Sequence, residues 1–268
     1  MAKFLALFFG IICYLFFIIT FLYFIAFVSN VTVPRTIDSG PPAPVWLAVL
    51  IDAGLIAIFA LQHSVMARQG FKRRWTKFVP PAVERSTYVL ASTLVLALLI
   101  WQWRPIPYPV WRIADPGWGS AILALQLLGW LMAMASSFLI DHFELYGLGQ
   151  VTRHLTGREA KPGKLRTPLL YRFVRHPIYL GFVLAFWAAP VMSVGHLMFA
   201  AVTTAYIYVG IALEERDLIS FFGDEYRRYR ARVPMRVPWV RFGPRSGRNG
   251  PSLAPAPRDD HFENRTPL

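Results

Sequence analysis

Long uncharged stretches constrain this chain more than any other feature of its sequence. It has 28 Lys and Arg and 15 Asp and Glu among 268 residues, yet of these only Asp52 lies inside six long apolar segments. About 20 apolar residues cross a bilayer, and its hydrocarbon disfavours charged side chains. The segments therefore predict six membrane spans, the last two of which form a tight hairpin. Their approximate ranges are 4–28, 45–66, 86–103, 118–140, 177–192 and 196–213.

The composition supports the same fold class. Hydrophobic residues make up 55% of the chain and charged residues 16%, whereas a soluble domain has about 25% charged residues. We therefore predict an all-α, polytopic helical bundle in a membrane. Cys13 is the single cysteine, which excludes an internal disulfide and any site built from several thiolates, and we predict no metal site.

Basic residues are divided unevenly between the loops. Of the 28 Lys and Arg, only Arg35, Arg104 and Arg112 fall on one side of the predicted spans, and the other 25 fall on the opposite side. The positive-inside rule then predicts that both termini are cytoplasmic. The net charge of +13 becomes a topology signal and an attraction to anionic headgroups. No nucleic-acid-binding motif accompanies the arginines, so nucleic acid is not an expected partner.

The chain predicts one domain and a tail. Residues 1–236 form the transmembrane domain. Near its end, between Leu213 and Val233, apolar residues recur at three-to-four spacing opposite arginines, which predicts an amphipathic helix at the membrane surface. Residues 237–268 are rich in Pro, Gly, Arg and Asn and are expected to be a disordered cytoplasmic tail.

Polar residues gather at the cytoplasmic ends of the predicted spans. An ionisable group near the hydrocarbon is costly unless it is paired or functional. Four sets of such residues, distant from one another in sequence, are therefore the candidates for a functional site. They are Gln62-His63-Ser64, Asp141-His142-Phe143-Glu144, the segment 171–181 and Glu214-Glu215-Arg216-Asp217.

The fifth predicted span begins with features that suit an anion. Pro177 fits the first turn of a helix, so Arg175 and His176 precede free backbone N–H groups that favour a carboxylate. Tyr179 can stack or donate a hydrogen bond, and Gly181 offers bare backbone to a flat ligand. The alternative is that Arg175 reaches the headgroups and Gly181 packs against another span.

Two acidic residues end the sixth predicted span. The helix dipole disfavours Glu214 and Glu215 at a C-terminus, so a bound cation would explain the pair. The hairpin returns them to the depth of Arg175 and His176. Together these residues would offer a guanidinium to a carboxylate, and carboxylates to an ammonium, a ribose or a positive sulfur. The alternative is a solvated Glu–Arg cluster at the membrane edge.

Four motifs follow one another near the end of the chain: Arg175-His176-Pro177-x-Tyr179-x-Gly181, Glu214-Glu215-x-x-Leu218, Phe222-Gly223-x-x-Tyr226-x-x-Tyr229 and Val233-Pro234. With these motifs, residues 165–236 resemble the isoprenylcysteine carboxyl methyltransferase-like and phospholipid methyltransferase-like membrane enzymes. That resemblance implies S-adenosylmethionine as cofactor, held by the last helix pair and the segment after it. It also implies cofactor-binding roles for Arg175, His176, Pro177, Tyr179, Gly181, Glu214 and Glu215.

Three upstream segments resemble the bacterial methanethiol S-methyltransferases within that group. They are residues 61–68, 141–148 and 187–197. The resemblance implies methylation of methanethiol to dimethyl sulfide, with S-adenosylhomocysteine as the second product. It also implies a bacterial inner membrane location, with a small thiol and the lipid bilayer as partners. The sequence carries no signal for the oligomeric state.

A thiol acceptor has to lose its proton. A free cysteine thiol has a pKa of ~8.5, and an alkyl thiol is a weaker acid, so a base would help. The candidates are His63, His142, Glu144 and Tyr226, and we favour His142.

Two other functions fit the same residues. A methyltransferase acting on prenylated cysteine or on lipid amines would need a long apolar tunnel. The segment 62–68 is also similar to membrane proteins of the NnrU type, related to nitrogen oxides, in which His63 and His142 could hold a haem.

Overall fold

The all-α class is confirmed by the structure, a computed structural model that describes residues 1–31, 33–159 and 164–235. Five helices within those residues are long and apolar enough to cross a membrane, so the chain is an integral membrane protein. The predicted tail, 237–268, lies outside the described residues. In chain order the helices are α1 (Ala2–Val28), α2 (Val45–Ala67), α3 (Gln69–Trp75), α4 (Glu84–Gln102), α5 (Pro116–Ile140), α6 (His142–Leu145), α7 (Leu148–Thr156), α8 (Pro177–Trp187), α9 (Val194–Phe222) and α10 (Asp224–Arg232).

The fifth predicted span is shorter than expected. Helix α8 ends at Trp187, whereas the sequence predicted helix to residue 192. Proline disfavours helical conformation in the residue before it, and Pro190 follows the helix end closely. Residues Val191–Ser193 instead form strand β2, which pairs antiparallel with β1 (Pro109–Arg112). With 11 residues, α8 is about 16 Å long, half of the ~30 Å hydrocarbon thickness.

The last long helix extends further than predicted. Helix α9 continues past residue 213 to Phe222, because charged side chains end a hydrophobic run without ending the backbone hydrogen bonds of a helix. The single amphipathic helix predicted for 213–233 is instead the end of α9 followed by α10. The two are separated at Gly223, whose φ of +56° suits glycine.

Helices α5 and α8 approach each other at glycines. A Cβ at Gly129 would lie 2.6 Å from the backbone nitrogen of Ala185, and one at Gly181 would lie 2.6 Å from that of Ala133. Small residues allow such backbone contact between helices in a membrane. The core beside this contact is aromatic, with rings packed edge to face. It includes Phe21, Phe24, Trp130, Phe186 and Phe199.

The two ends of the bundle differ. We call the end at which α2 finishes and α8 begins the basic end, and the opposite end the capped end. At the capped end, β1 and β2 and the loop before α2 cover the helices. There the buried Asp52 accepts a hydrogen bond from the Arg104 backbone N–H at 2.9 Å, and the Trp103 indole donates to the Ile37 carbonyl at 3.0 Å.

Candidate active site

Four ionisable side chains meet at the basic end, where α8 begins and α9 nears its end. Glu215 accepts a hydrogen bond from Nε2 of His176 at 3.2 Å, and its carboxylate lies 3.3 Å from the Arg175 guanidinium. Its other oxygen lies 3.4 Å from Nε of Arg230, on α10. The side chain of Glu215 is only 9% exposed. We call Arg175, His176, Glu215 and Arg230 the ion cluster.

Glu214 borders the ion cluster from the preceding position on α9. Its Oε2 lies 3.8 Å from Nδ1 of His176, so the imidazole stands between the two neighbouring carboxylates. The Tyr179 hydroxyl interacts with the Glu214 carboxylate, and the Tyr179 and His176 rings are 5.7 Å apart. Pro177, buried at the first position of α8, sets the direction in which this helix leaves the ion cluster.

The predicted juxtaposition of the basic turn and the acidic pair is therefore confirmed. The hairpin of α8 and α9 brings residues 39 positions apart into hydrogen-bond contact. Each buried charge in the ion cluster has an opposite partner, which is the condition under which charges are tolerated away from water.

Helix α10 folds back over the start of α8. The Tyr229 hydroxyl donates to the Tyr171 carbonyl at 2.6 Å, and the Arg175 backbone N–H donates to the Pro234 carbonyl at 3.1 Å. Burial raises the pKa of Tyr229 to about 12 and raises that of Tyr226 as well, and the nearby Glu215 carboxylate acts in the same direction. Both hydroxyls therefore stay protonated at neutral pH and can donate hydrogen bonds.

Three buried polar atoms around the ion cluster have no hydrogen-bond partner among the described residues. They are Nε of Arg175, Oε2 of Glu214 and the hydroxyl of Tyr226. Buried polar groups are satisfied in the large majority of cases, so three orphans at one place need an explanation. A polar ligand carrying both an acceptor and a donor or positive charge would satisfy all three. The three atoms make the ion cluster a candidate ligand site.

Gly181 takes no part in this cluster. The bare backbone that the sequence offered to a ligand is covered by α5, whose backbone would clash with a Cβ at this position. The alternative reading of Gly181, as a packing residue, is the one that the structure favours.

His63 lies at the basic end of α2, facing α4. The Tyr88 hydroxyl is 3.0 Å from Nε2 and 3.1 Å from Nδ1 of His63, and the Ser92 hydroxyl is 3.4 Å from Nδ1. The ring stacks on Phe59 at 5.4 Å. Next to it in sequence, Ser64 contacts Tyr206 of α9 at 3.1 Å, which links this region to the helix that carries the acidic pair.

His142 and Glu144 have other partners. His142 is buried between Tyr14 and Ser137, at 2.9 and 2.8 Å, and stacks on Phe138. Burial lowers the pKa of His142, so it is neutral at pH 7. Glu144 forms a bidentate ion pair with Arg153, and the hydrogen bonds of this pair raise the pKa of Arg153. Thus the four predicted catalytic residues are not brought together, and of them only Tyr226 borders the ion cluster.

Several partners were missed by sequence reasoning. Arg230 was assigned only to the polar face of an amphipathic helix, although a basic residue after a buried acidic pair is a usable signal. Tyr88 and Tyr206 lie within apolar spans, where a hydroxyl gives no pattern that a single sequence can reveal. The ion pair of Arg68 with Asp217, at 2.9 Å, joins α2 to α9 at the same end.

Comparisons with known proteins match the chain to one family model and to several named relatives. The family described as "NnrU protein" matches residues 51–217. The chain is 58% identical over 239 residues to "Methanethiol S-methyltransferase 1" of Bradyrhizobium diazoefficiens, which covers 89% of this chain and 84% of that relative. It is 50% identical over 239 residues to "Methanethiol S-methyltransferase" of Mycobacterium tuberculosis, with 89% and 98% covered. It is 52% identical over 238 residues to the second Bradyrhizobium enzyme of that name, with 88% and 91% covered. No solved structure matches the chain.

Proposed function

The chain belongs to the NnrU protein family and to the family of the methanethiol S-methyltransferases, and from this premise we propose that it methylates methanethiol to dimethyl sulfide with S-adenosylmethionine as donor. The observation that carries the proposal is the set of orphaned polar atoms around the ion cluster. Their chemistry fits a ligand with a carboxylate, an ammonium, hydroxyls and a positive sulfur.

The residues of the proposed cofactor site divide by charge. The Arg175 guanidinium, which has a free Nε, would hold the carboxylate, as bidentate arginine contacts do elsewhere. Oε2 of Glu214, which has no hydrogen-bond partner among the described residues, would accept from the ammonium or from a ribose hydroxyl. His176, Pro177, Tyr179 and Glu215 keep these two groups in place. When bound, S-adenosylmethionine supplies an electrophilic methyl group on a positively charged sulfur.

The protein's own contribution is positioning, exclusion of water and removal of one proton. Helix α10 covers the site from the polar side, and its own Tyr226 is buried, at 1% exposure. Holding two reactants in line in a dry site supplies a large part of the acceleration of such a transfer. Of the four candidate bases, the contacts favour His63, because the neighbouring Ser64 connects its helix to α9, which carries the acidic pair.

The haem alternative has less support. A bis-histidine haem would need free nitrogens on His63 and His142, whereas the nitrogens of His142 are engaged by Tyr14 and Ser137. Purified protein is therefore expected to show no Soret band. The prenylcysteine and lipid-amine alternatives predict methylation of long-chain acceptors, which the assay below includes.

We also propose that the domain comprises residues 1–236 and resides in the bacterial inner membrane with both termini cytoplasmic. This places the basic end, with the ion cluster, toward the cytosol, where a soluble nucleotide cofactor is available. The basis is the charge asymmetry of the loops.

The test is headspace detection of dimethyl sulfide from membranes supplied with methanethiol and S-adenosylmethionine. Wild-type membranes should produce it, and a prenylated cysteine or phosphatidylethanolamine should not be methylated. Arg175→Ala should weaken binding of radiolabelled S-adenosylmethionine at least about 10-fold, since a charge-assisted contact is lost. Arg73→Ala, a change on the basic helix α3, is the matched control. Unaltered cofactor affinity in Arg175→Ala would contradict the assignment of the site.

A further inference from the structure

Helix α9 has an open position between two of the site's side chains. Gly210 lies one turn from Tyr206 and one turn from Glu214, and positions i, i+4 and i+8 share one face of a helix. A Cβ placed at Gly210 would meet no atom of the described residues within 4 Å. Gly210 is half-buried, whereas Gly54 of α2, whose Cβ position is equally open, is exposed.

Polar side chains from three other helices border this face of α9. Ser64 of α2 contacts the Tyr206 hydroxyl at 3.1 Å. Tyr179 of α8 is within electrostatic range of Tyr206, of Glu214 and of Tyr88 on α4. Tyr88 in turn touches His63. Along α9, Gly210 therefore lies between Glu214, which borders the ion cluster, and Tyr206, which contacts the helix of the proposed base through Ser64.

We propose that the space on α9 beside Gly210, bordered by Tyr206, Tyr179 and Tyr88, is the acceptor pocket that holds the small thiol. This inference rests on the proposed function and names the part of the site that receives the second substrate. An acceptor must lie next to the methyl donor and within reach of a base, and both Glu214 and His63 border this region. Aromatic walls suit an apolar alkyl thiol, and a glycine in one wall leaves room for its sulfur and methyl group.

Methyl transfer from the donor to the thiol in this pocket would need no third reactant. The S–H bond of methanethiol breaks, and its proton passes to a ring nitrogen of His63. The thiol sulfur uses the freed electron pair to bond the transferred methyl carbon. The carbon's earlier bond to the donor sulfur breaks, and that bond's electrons neutralise the positive charge on the donor. Tyr88, through its contact with His63, is a positioning residue in this scheme.

The test fills the pocket. Gly210→Leu should raise KM for methanethiol at least about 10-fold, the effect expected when a hydrophobic pocket loses space for a methyl-sized group. The Kd of radiolabelled S-adenosylmethionine should stay within twofold of the wild-type value. Gly54→Leu is the matched control, because Gly54 also has no described atom near its Cβ but lies on the exposed face of α2. Both of its constants should match the wild type.

Each outcome decides a different point. If wild-type membranes form no dimethyl sulfide, the proposed function fails. If the wild type is active and Gly210→Leu binds the cofactor with an unchanged KM for methanethiol, the acceptor pocket is elsewhere. Equal weakening of cofactor binding would place Gly210 in the donor site and also overturn the inference. If Gly210→Leu does not fold, judged by loss of cofactor binding and of thermal transition, Gly210→Ala replaces it, with KM expected to rise about threefold.

Discussion

Glu214→Gln and Glu215→Gln should differ in their effects on stability and on cofactor binding. Glu215 is surrounded by Arg175, His176 and Arg230, whereas Glu214 keeps one carboxylate oxygen without a hydrogen-bond partner among the described residues. We therefore expect Glu215→Gln to damage mainly the folded state, and Glu214→Gln to damage mainly cofactor binding.

The expected changes in stability and in Kd follow from the burial of each glutamate and from its ion-pair partners. Removing one member of a buried ion pair costs about 3–5 kcal/mol, and since Arg230 is half exposed and can turn to water, we expect about 3 kcal/mol for Glu215→Gln. In a protein of this size that lowers the unfolding midpoint by roughly 6–12 °C. Glu214 is 29% exposed, so Glu214→Gln should cost less than about 1 kcal/mol of stability. A lost charged hydrogen bond to the ligand, about 1.5–3 kcal/mol, weakens its Kd about 10- to 150-fold.

Two measurements on detergent-purified protein separate these effects. Tryptophan fluorescence during heating reports the midpoint, and equilibrium dialysis with radiolabelled S-adenosylmethionine reports Kd. Equal midpoints for the two variants would refute the reasoning on the ion cluster. A wild-type Kd in Glu214→Gln would refute the role of its free oxygen.

Two further changes test α10 and the buried His142. Tyr229→Phe removes the hydrogen bond to the Tyr171 carbonyl, so the free energy of unfolding should fall by about 1 kcal/mol. The Kd for the cofactor should rise up to about fivefold. If both values are unchanged, α10 does not act as a cover of the site. His142 has a lowered pKa, so the unfolded chain binds its proton more readily, and wild-type stability should fall as pH drops below about 6.5, with a slope of at most about 1.4 kcal/mol per pH unit. When the free energy of unfolding is measured from pH 7.5 to 5.5, His142→Gln should remove the part of its pH dependence that is due to His142. Equal slopes for the wild type and the variant would argue against a buried neutral imidazole.

The helical class and the pairing across the hairpin could be predicted because each rests on a strong local signal. Charge is excluded from hydrocarbon, so the spans are visible as uncharged runs. A turn within an apolar block returns the chain to the same membrane depth, which places Glu215 near His176 without any knowledge of side-chain packing.

Helix lengths were less predictable, because hydropathy does not measure helix formation. Helix α8 stops at Trp187 although apolar residues continue, since Pro190 and the pairing of β2 with β1 favour an extended chain. Helix α9 continues past its first charged residues, because the carboxylate of Glu215 is paired with the basic side chains of the ion cluster while its backbone stays helical.

The catalytic candidates could not be ranked from the sequence, because residue type does not reveal which partners a side chain has. His142 was favoured as a histidine at a span end, but Tyr14, within an apolar helix, supplies one of its hydrogen bonds. Glu144 is a candidate by residue type, but its carboxylate is paired with Arg153. The proposed site has unsatisfied hydrogen-bonding capacity at Arg175, Glu214 and Tyr226, and that property can be seen only in three dimensions.

The short α8 explains how the site is held in register. At its far end, the Trp187 indole donates to Thr204 of α9 at 2.9 Å, and at its start His176 contacts Glu215. Eleven residues separate His176 from Trp187, and eleven separate Thr204 from Glu215. Both legs of the hairpin therefore span about 16 Å between two polar contacts. Because α9 is held at both points, a one-residue slip would turn Glu215 by about 100° away from the ion cluster, so the hairpin's equal legs determine where the two carboxylates face.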